Sequence, residues 1–120
     1  MRKIDGLIPT SYAEAAKSLA DHGSRTLAKN TMLVRIADSE DIGLLLHNTI
    51  VVRYTPDGWL VVNTGGWHTV TTKARMNAAL RASGFQVAQK AGRWILWSVF
   101  GGTVTLFRDG LRIHETRVLA

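Results

Sequence analysis

The chain has 120 residues, no cysteine, and 15 Lys plus Arg against 9 Asp plus Glu, for a net charge of +6. That length suits one domain with its own hydrophobic core, and the absence of thiols excludes a disulfide framework, a Cys-ligated metal or cluster, and a thiol nucleophile. The 46% hydrophobic and 20% charged residues are a globular balance and exclude a disordered chain.

The first strong signal along the chain is Pro9-Thr10-Ser11-Tyr12-Ala13-Glu14, a helix start with Ser11 as cap and Glu14 closing a capping box. Tyr12, Ala15, Ala16, Leu19 and Ala20 follow at helical spacing, and Gly23 ends the run. From Thr31 the pattern becomes β-branched and aliphatic, predicting strands over 31–37, 42–47, 49–54 and 59–63. Asp38-Ser39-Glu40-Asp41 and Thr55-Pro56-Asp57-Gly58 read as hairpin turns, and His47-Asn48 as a bend between adjacent strands. A second helix is predicted over 70–80, capped by Thr71 or Thr72, with Met76, Ala79 and Leu80 inward and an end at Ser83-Gly84. Four more strands follow over 85–89, 93–100, 103–107 and 111–118, with turns at Lys90-Ala91-Gly92, Gly101-Gly102 and Asp109-Gly110. The expectation is an α+β fold, a largely antiparallel meander sheet with two helices in the order α-ββββ-α-ββββ. It forms a single domain over residues 1–120 whose halves share one core. Met1-Arg2-Lys3-Ile4-Asp5-Gly6 has an acid and a glycine where a signal peptide has its apolar stretch, and no apolar run has membrane-spanning length. The expected setting is therefore cytoplasmic, with no membrane contact.

The charge is unevenly placed. Residues 1–57 balance, as do residues 109–120, so the whole excess lies in Gly58–Arg108, where Lys73, Arg75, Arg81, Lys90, Arg93 and Arg108 meet no acid. The same segment holds all four tryptophans and all three phenylalanines. Cations displace phosphate counterions and flat rings stack on bases, so this mixture suits a nucleic-acid surface. The plainer explanation is that the rings are core and the charges are solvated. Lys73, Asn77 and Arg81 fall at i, i+4 and i+8, which predicts a basic stripe on one helix face.

Asn63-Thr64-Gly65-Gly66-Trp67-His68-Thr69-Val70-Thr71-Thr72-Lys73 is the most unusual stretch. Gly65 and Gly66 permit a close backbone turn, and the threonine hydroxyls, Thr71 and Thr72 among them, lead into a helix start that favours anions. Lys73 and Arg75 oppose the helix dipole there, at a cost of a few tenths to about 1 kcal/mol without a neighbouring negative charge. A phosphate would remove that cost, although the P-loop pattern fails because Gly66 is not followed by Lys-Ser/Thr. The anion-binding set is thus Lys73, Arg75, Arg81, Arg93, Trp67, Thr71, Thr72, Gly65 and Gly66. A threonine-capped helix with solvated bases accounts for the same residues without a ligand.

A second, weaker constellation is His47-Asn48-Thr49 with His68-Thr69, which could pair two histidines as base and acid on a phosphodiester. The second element lacks the frame of the first. His22, His47, His68 and His114 have no metal-ligand spacing, and no cofactor motif is present, so neither metal nor cofactor is expected. Asn30-Thr31-Met32-Leu33-Val34-Arg35 and Asn48-Thr49-Ile50-Val51-Val52-Arg53 look alike; a turn residue opening a buried strand explains both without a duplicated ligand site.

The runs Leu27–Thr31, His47–Val52, Pro56-Asp57-Gly58 and Asn63–Asn77, with Gly65-Gly66-Trp67-x-Thr69-Val70-Thr71-Thr72-Lys73 as the specific part, resemble small uncharacterised proteins of tailed bacteriophages and related mobile elements. That resemblance covers about half of the chain. It implies a phage-type protein in a bacterial cytoplasm, where nucleic acid or a host protein is the common partner. It also implies that position 68 is often Arg and that Asn63-Thr64 is often Asn-Ser, which argues against His68 as an obligatory catalyst. The leading expectation is a non-enzymatic binding protein with a basic face for nucleic acid. The alternatives are a module that engages an acidic host or defence protein, and a nucleotide-binding or small phosphoester enzyme.

Overall fold

The computed structural model describes residues 3–114. A 3-10 turn over Lys3–Leu7 precedes helix α1, Tyr12–Leu19. Ser11 is the cap, its hydroxyl accepting from the Glu14 amide at 3.1 Å. The Glu14 carboxylate reaches one residue further back than a capping box would, taking the amide and the hydroxyl of Thr10, both at 2.6 Å. These two bonds, the hydroxyl's first, hold Glu14 below the usual carboxylate range. A lowered folded pKa gives stability that is present above the ordinary carboxylate value and lost as pH falls through the lowered one. Glu14→Gln is therefore expected to flatten the acid limb of a melting-temperature profile between those two values, while leaving its neutral limb parallel to wild type.

Five strands follow as an antiparallel meander: β1 Ser24–Ala28, β2 Thr31–Arg35, β3 Ile42–Leu46, β4 Thr49–Tyr54 and β5 Trp59–Val62. Apolar side chains of β2 to β5, including Leu33, Leu44, Val52 and Leu60, are fully buried; each such side chain contributes roughly 1.5–3 kcal/mol. α1 lies against β1, β2 and β3. β1 was not expected from the sequence. Its residues Ser-Arg-Thr-Leu-Ala form an edge strand with three exposed positions, so they lack the apolar pattern that marks the other strands. α1 also ends before Gly23, because Ala20 itself adopts φ 53 and donates its amide to Ala16.

Helix α2, Val70–Leu80, then packs against β4 and against the first strand of a second sheet. That sheet is β6 Phe85–Lys90, β7 Arg93–Ser98 and β8 Val104–Leu106, all antiparallel. β9, Leu111–His114, returns to the first sheet beside β5, giving the order β1-β2-β3-β4-β5-β9. The fold is α+β, with one more strand than expected before α2 and the meander split over two sheets. Residues 115–118 of the last predicted strand lie outside the described residues. The inward residues of the second sheet, Val87, Trp94 and Leu96, join the same hydrophobic cluster as Leu44, Val52 and Met76.

The predicted basic stripe on α2 is partly exposed, and two of its members are tied to the protein. Asn77 brackets β6, donating to the Val87 carbonyl at 2.9 Å and accepting from its amide at 2.7 Å. Arg81 donates to the carbonyls of Ile8 and Ala78 at 2.8 and 2.6 Å. Asn77 thereby meets a strand edge and Arg81 the chain entering α1, while Lys73 stands near Trp94. The Tyr54 hydroxyl holds the same entry point by donating to the Pro9 carbonyl at 2.7 Å, and burial pushes its phenol far above the usual value.

Candidate functional site

Between β5 and α2 the chain turns on its own side chains. Asn63 Oδ1 accepts from the Gly65 amide at 2.7 Å, Thr64 Oγ1 from the Gly66 amide at 3.1 Å, and the Thr64 carbonyl from the Trp67 amide at 3.0 Å. Asp109 clamps the loop from across the sheet, accepting from the Thr64 amide at 2.7 Å and from its hydroxyl at 2.9 Å. The segment that is acid-free in sequence therefore receives a carboxylate in space, and that carboxylate is already engaged. Gly65, at φ +61, touches Thr49: a Cβ there would lie 2.7 Å from Thr49 Cγ2. The helix cap is Thr69, whose hydroxyl accepts from the Thr72 amide at 3.1 Å and lies 2.9 Å from the Thr72 hydroxyl. Thr71 and Thr72, expected as caps, instead lie in the first turn.

Neighbouring residues of this loop line two different cavities. Trp67, Thr69, Thr71 and Thr72 line a cavity of about 410 Å³ whose other wall is the His47-Asn48-Thr49 turn and whose apolar lining includes Leu46 and Val51. His47 holds φ 54 at the corner of that two-residue turn. His68 points elsewhere, into a cavity of about 480 Å³ with Arg93, Trp94, Gln89 and Phe107. The four-residue polar set His47, Asn48, Thr49 and His68 is thus divided. The first three meet in one cavity and His68 lines the other, so the two histidines do not share a cavity.

Cations gather around the second cavity. The Lys73 ammonium stands 5.9 Å from the centre of the Trp94 ring, and the His68 ring meets the same indole edge-on at 4.9 Å. Phe107 also meets it edge-on, at 5.5 Å. Trp94 is only 8% exposed, so it acts as a rigid platform carrying a cation–π contact. Arg93 and Lys90 face each other across the β6–β7 hairpin. Lys73, Lys90, Arg93 and Arg108 form no ion pair among the described residues.

Arg75 does not join them. It is 6% exposed, and its guanidinium donates to Thr31 Oγ1 at 2.9 Å and approaches Asn30 Oδ1 at 3.5 Å. Arg75 is thus engaged by oxygens from a distant part of the chain, while Arg81 is exposed and has one guanidinium nitrogen held by the Ile8 and Ala78 carbonyls. The two similar Asn-Thr elements open β2 and β4 at one end of the sheet: Asn30-Thr31 hold Arg75, and Thr49 packs on Gly65. Both dock the α2 region, which is a structural use for the repeat.

Trp94, Gln89 and Phe107 were not singled out by the sequence, where they read as ordinary strand residues. Asp109 read only as a turn. The indication available for Trp94 was its place beside Arg93 in the acid-free segment.

A family model described as Kyanoviridae Gp96 protein matches residues 8–113. The chain belongs to that family. It is accordingly a phage protein, in line with the expected phage origin. The match spans both sheets, both helices and both cavities. No curated protein and no solved structure matches the chain. Among the described residues no helix is long and apolar enough to cross a membrane.

Proposed function

We propose that this phage protein binds nucleic acid through the Trp67–Lys73 segment and the β6–β7 hairpin. The supporting observation is the placing of Lys73 and His68 against Trp94, beside a cavity that Arg93 also lines and that has no carboxylate in its lining. Cations held in fixed positions are what a phosphate backbone selects, and an exposed ring beside them can stack on a base. Trp67, 66% exposed, stands on the adjoining loop position. Anisotropy titrations of a labelled single strand at several salt concentrations test this. Lys73→Ala and Arg93→Ala are each expected to lower the salt slope by about 0.7. Arg75→Met, whose guanidinium is buried against Thr31, leaves the slope unchanged. Salt-independent affinity, or none at low salt, overturns the proposal.

A second reading has its own observation. Trp97, Phe100, Val104 and Leu106 are exposed, and the pairings Trp97↔Val104 and Ile95↔Leu106 put much of this apolar surface on the outer side of the second sheet. Such a surface beside Lys90 and Arg93 suits a host or defence protein with an acidic rim. A partner retained from bacterial lysate after nuclease treatment and released by Trp97→Ser would favour this reading over nucleic acid.

A further inference from the structure

The cavity between the His47–Thr49 turn and the 64–72 segment differs in kind from the cationic one. Its lining contains no Lys, Arg, Asp or Glu. Leu46 and Val51, both buried, give it an apolar floor, and Trp67 presents an indole at its rim. Around that floor stand hydrogen-bonding groups that the fold does not use: the side chains of His47, Asn48, Thr49 and Thr71 make no hydrogen bond among the described residues. At about 410 Å³ it lies within the range of small-ligand pockets. An apolar floor, a stacking ring, hydrogen-bonding side chains and the lack of any Lys, Arg, Asp or Glu together match a planar uncharged heterocycle. They do not suit a phosphate, which would find no cation here.

The two cavities are joined by sequence neighbours. Trp67 lines the neutral one and His68 the cationic one, while Thr72 lines the first and Lys73 reaches the Trp94 platform of the second. Trp67 and His68 point to opposite sides of the backbone they share, so a ligand spanning both sites passes over that stretch of chain with an uncharged flat part on one side and an anionic part on the other. We infer that the neutral cavity takes a nucleobase turned out of a single strand whose phosphates lie along Lys73 and Arg93. This rests on the nucleic-acid reading above and adds that the protein selects unpaired bases. In a duplex the bases are stacked and paired, and bringing one out costs a few kcal/mol.

The test uses the full chain and three oligonucleotide probes of equal length: a single strand, its duplex, and an abasic strand with the same number of phosphates. The single strand is expected to bind about tenfold more tightly than the abasic strand, with the same salt slope. Thr71→Leu, which pushes an apolar side chain into the cavity and removes a hydroxyl from its wall, is expected to remove that difference. Asn48→Ala, on the opposite wall, reduces it and covers the case in which Thr71→Leu disturbs the helix start. Equal affinity for intact and abasic strands, with the salt slope retained, overturns the base pocket while the nucleic-acid reading stands. Absence of salt-dependent binding to all three probes overturns that reading as well. Free nucleosides supply an independent measure, since they are expected to shift the Trp67 indole and Thr71 methyl resonances. Shifts from monosaccharides but not from nucleosides overturn the assignment to a base.

Discussion

Thr31→Val is expected to destabilise the protein by about 2 kcal/mol, because a hydrogen bond to a charged donor is worth roughly 1.5–3 kcal/mol and this one is buried. For a chain of this size that lowers the melting temperature by roughly 8 °C. Valine matches threonine in shape, so the loss is chemical: the Arg75 Nε–H that now donates to Thr31 Oγ1 would face a methyl group. The Thr31 hydroxyl also donates to Asn30 Oδ1 at 2.9 Å, and Arg75 Nη2 approaches the same oxygen. The three side chains thus form one hydrogen-bonded group. Thr31→Ser keeps the hydroxyl and is expected to cost well under half as much. Arg75→Met removes the buried cation along with its desolvation penalty and is expected to cost about 1 kcal/mol. The double variant should then be milder than the sum, with a coupling of about 1–2 kcal/mol. Additive effects in a denaturation cycle would show that Thr31 does not hold the guanidinium. Salt-dependent nucleic-acid binding should be unaffected by Arg75→Met, since this cation is structural.

Arg75 also shows where the sequence stops being legible. The strands of the first sheet are readable because β-branched runs are punctuated by turn residues, and α2 because its apolar positions recur at helical spacing. Charge spacing on α2 is equally readable, and it places Lys73, Asn77 and Arg81 on one face. What spacing cannot convey is which distant oxygens that face will meet. Arg75 finds Thr31, Arg81 finds Ile8, and Asn77 finds Val87. Each partner is supplied by tertiary packing, 10 to 73 positions away. Asp109 is the converse, a turn residue by its local signature that becomes the clamp on Thr64. The unusual composition of the Asn63–Lys73 stretch did mark the right part of the chain. Its division into a neutral and a cationic cavity followed only from the opposite directions of Trp67 and His68.

Gly65→Ala should disturb this site more than any other single-methyl change in the loop. The residue sits at φ +61, where a side chain costs roughly 1–2 kcal/mol. The new Cβ would also fall 2.7 Å from Thr49 Cγ2 and 3.0 Å from its Oγ1. Thr49 is β-branched and opens β4, so its rotamer has little freedom to yield. The loop must then lift away from the His47–Thr49 turn, widening the neutral cavity and loading the Thr64–Asp109 bonds. A loss of about 2–4 kcal/mol is expected, along with loss of the preference for intact over abasic strands. Gly66→Ala is the internal comparison. Its φ of +91 is similarly unfavourable, yet no atom lies within 4 Å of its Cβ, so it bears the backbone cost alone. The excess cost of Gly65→Ala over Gly66→Ala isolates the steric clash, and Thr49→Ala in the same chain should recover most of that excess. Equal losses at positions 65 and 66, with no rescue by Thr49→Ala, would show that the close approach of Gly65 to Thr49 does not set the shape of the cavity.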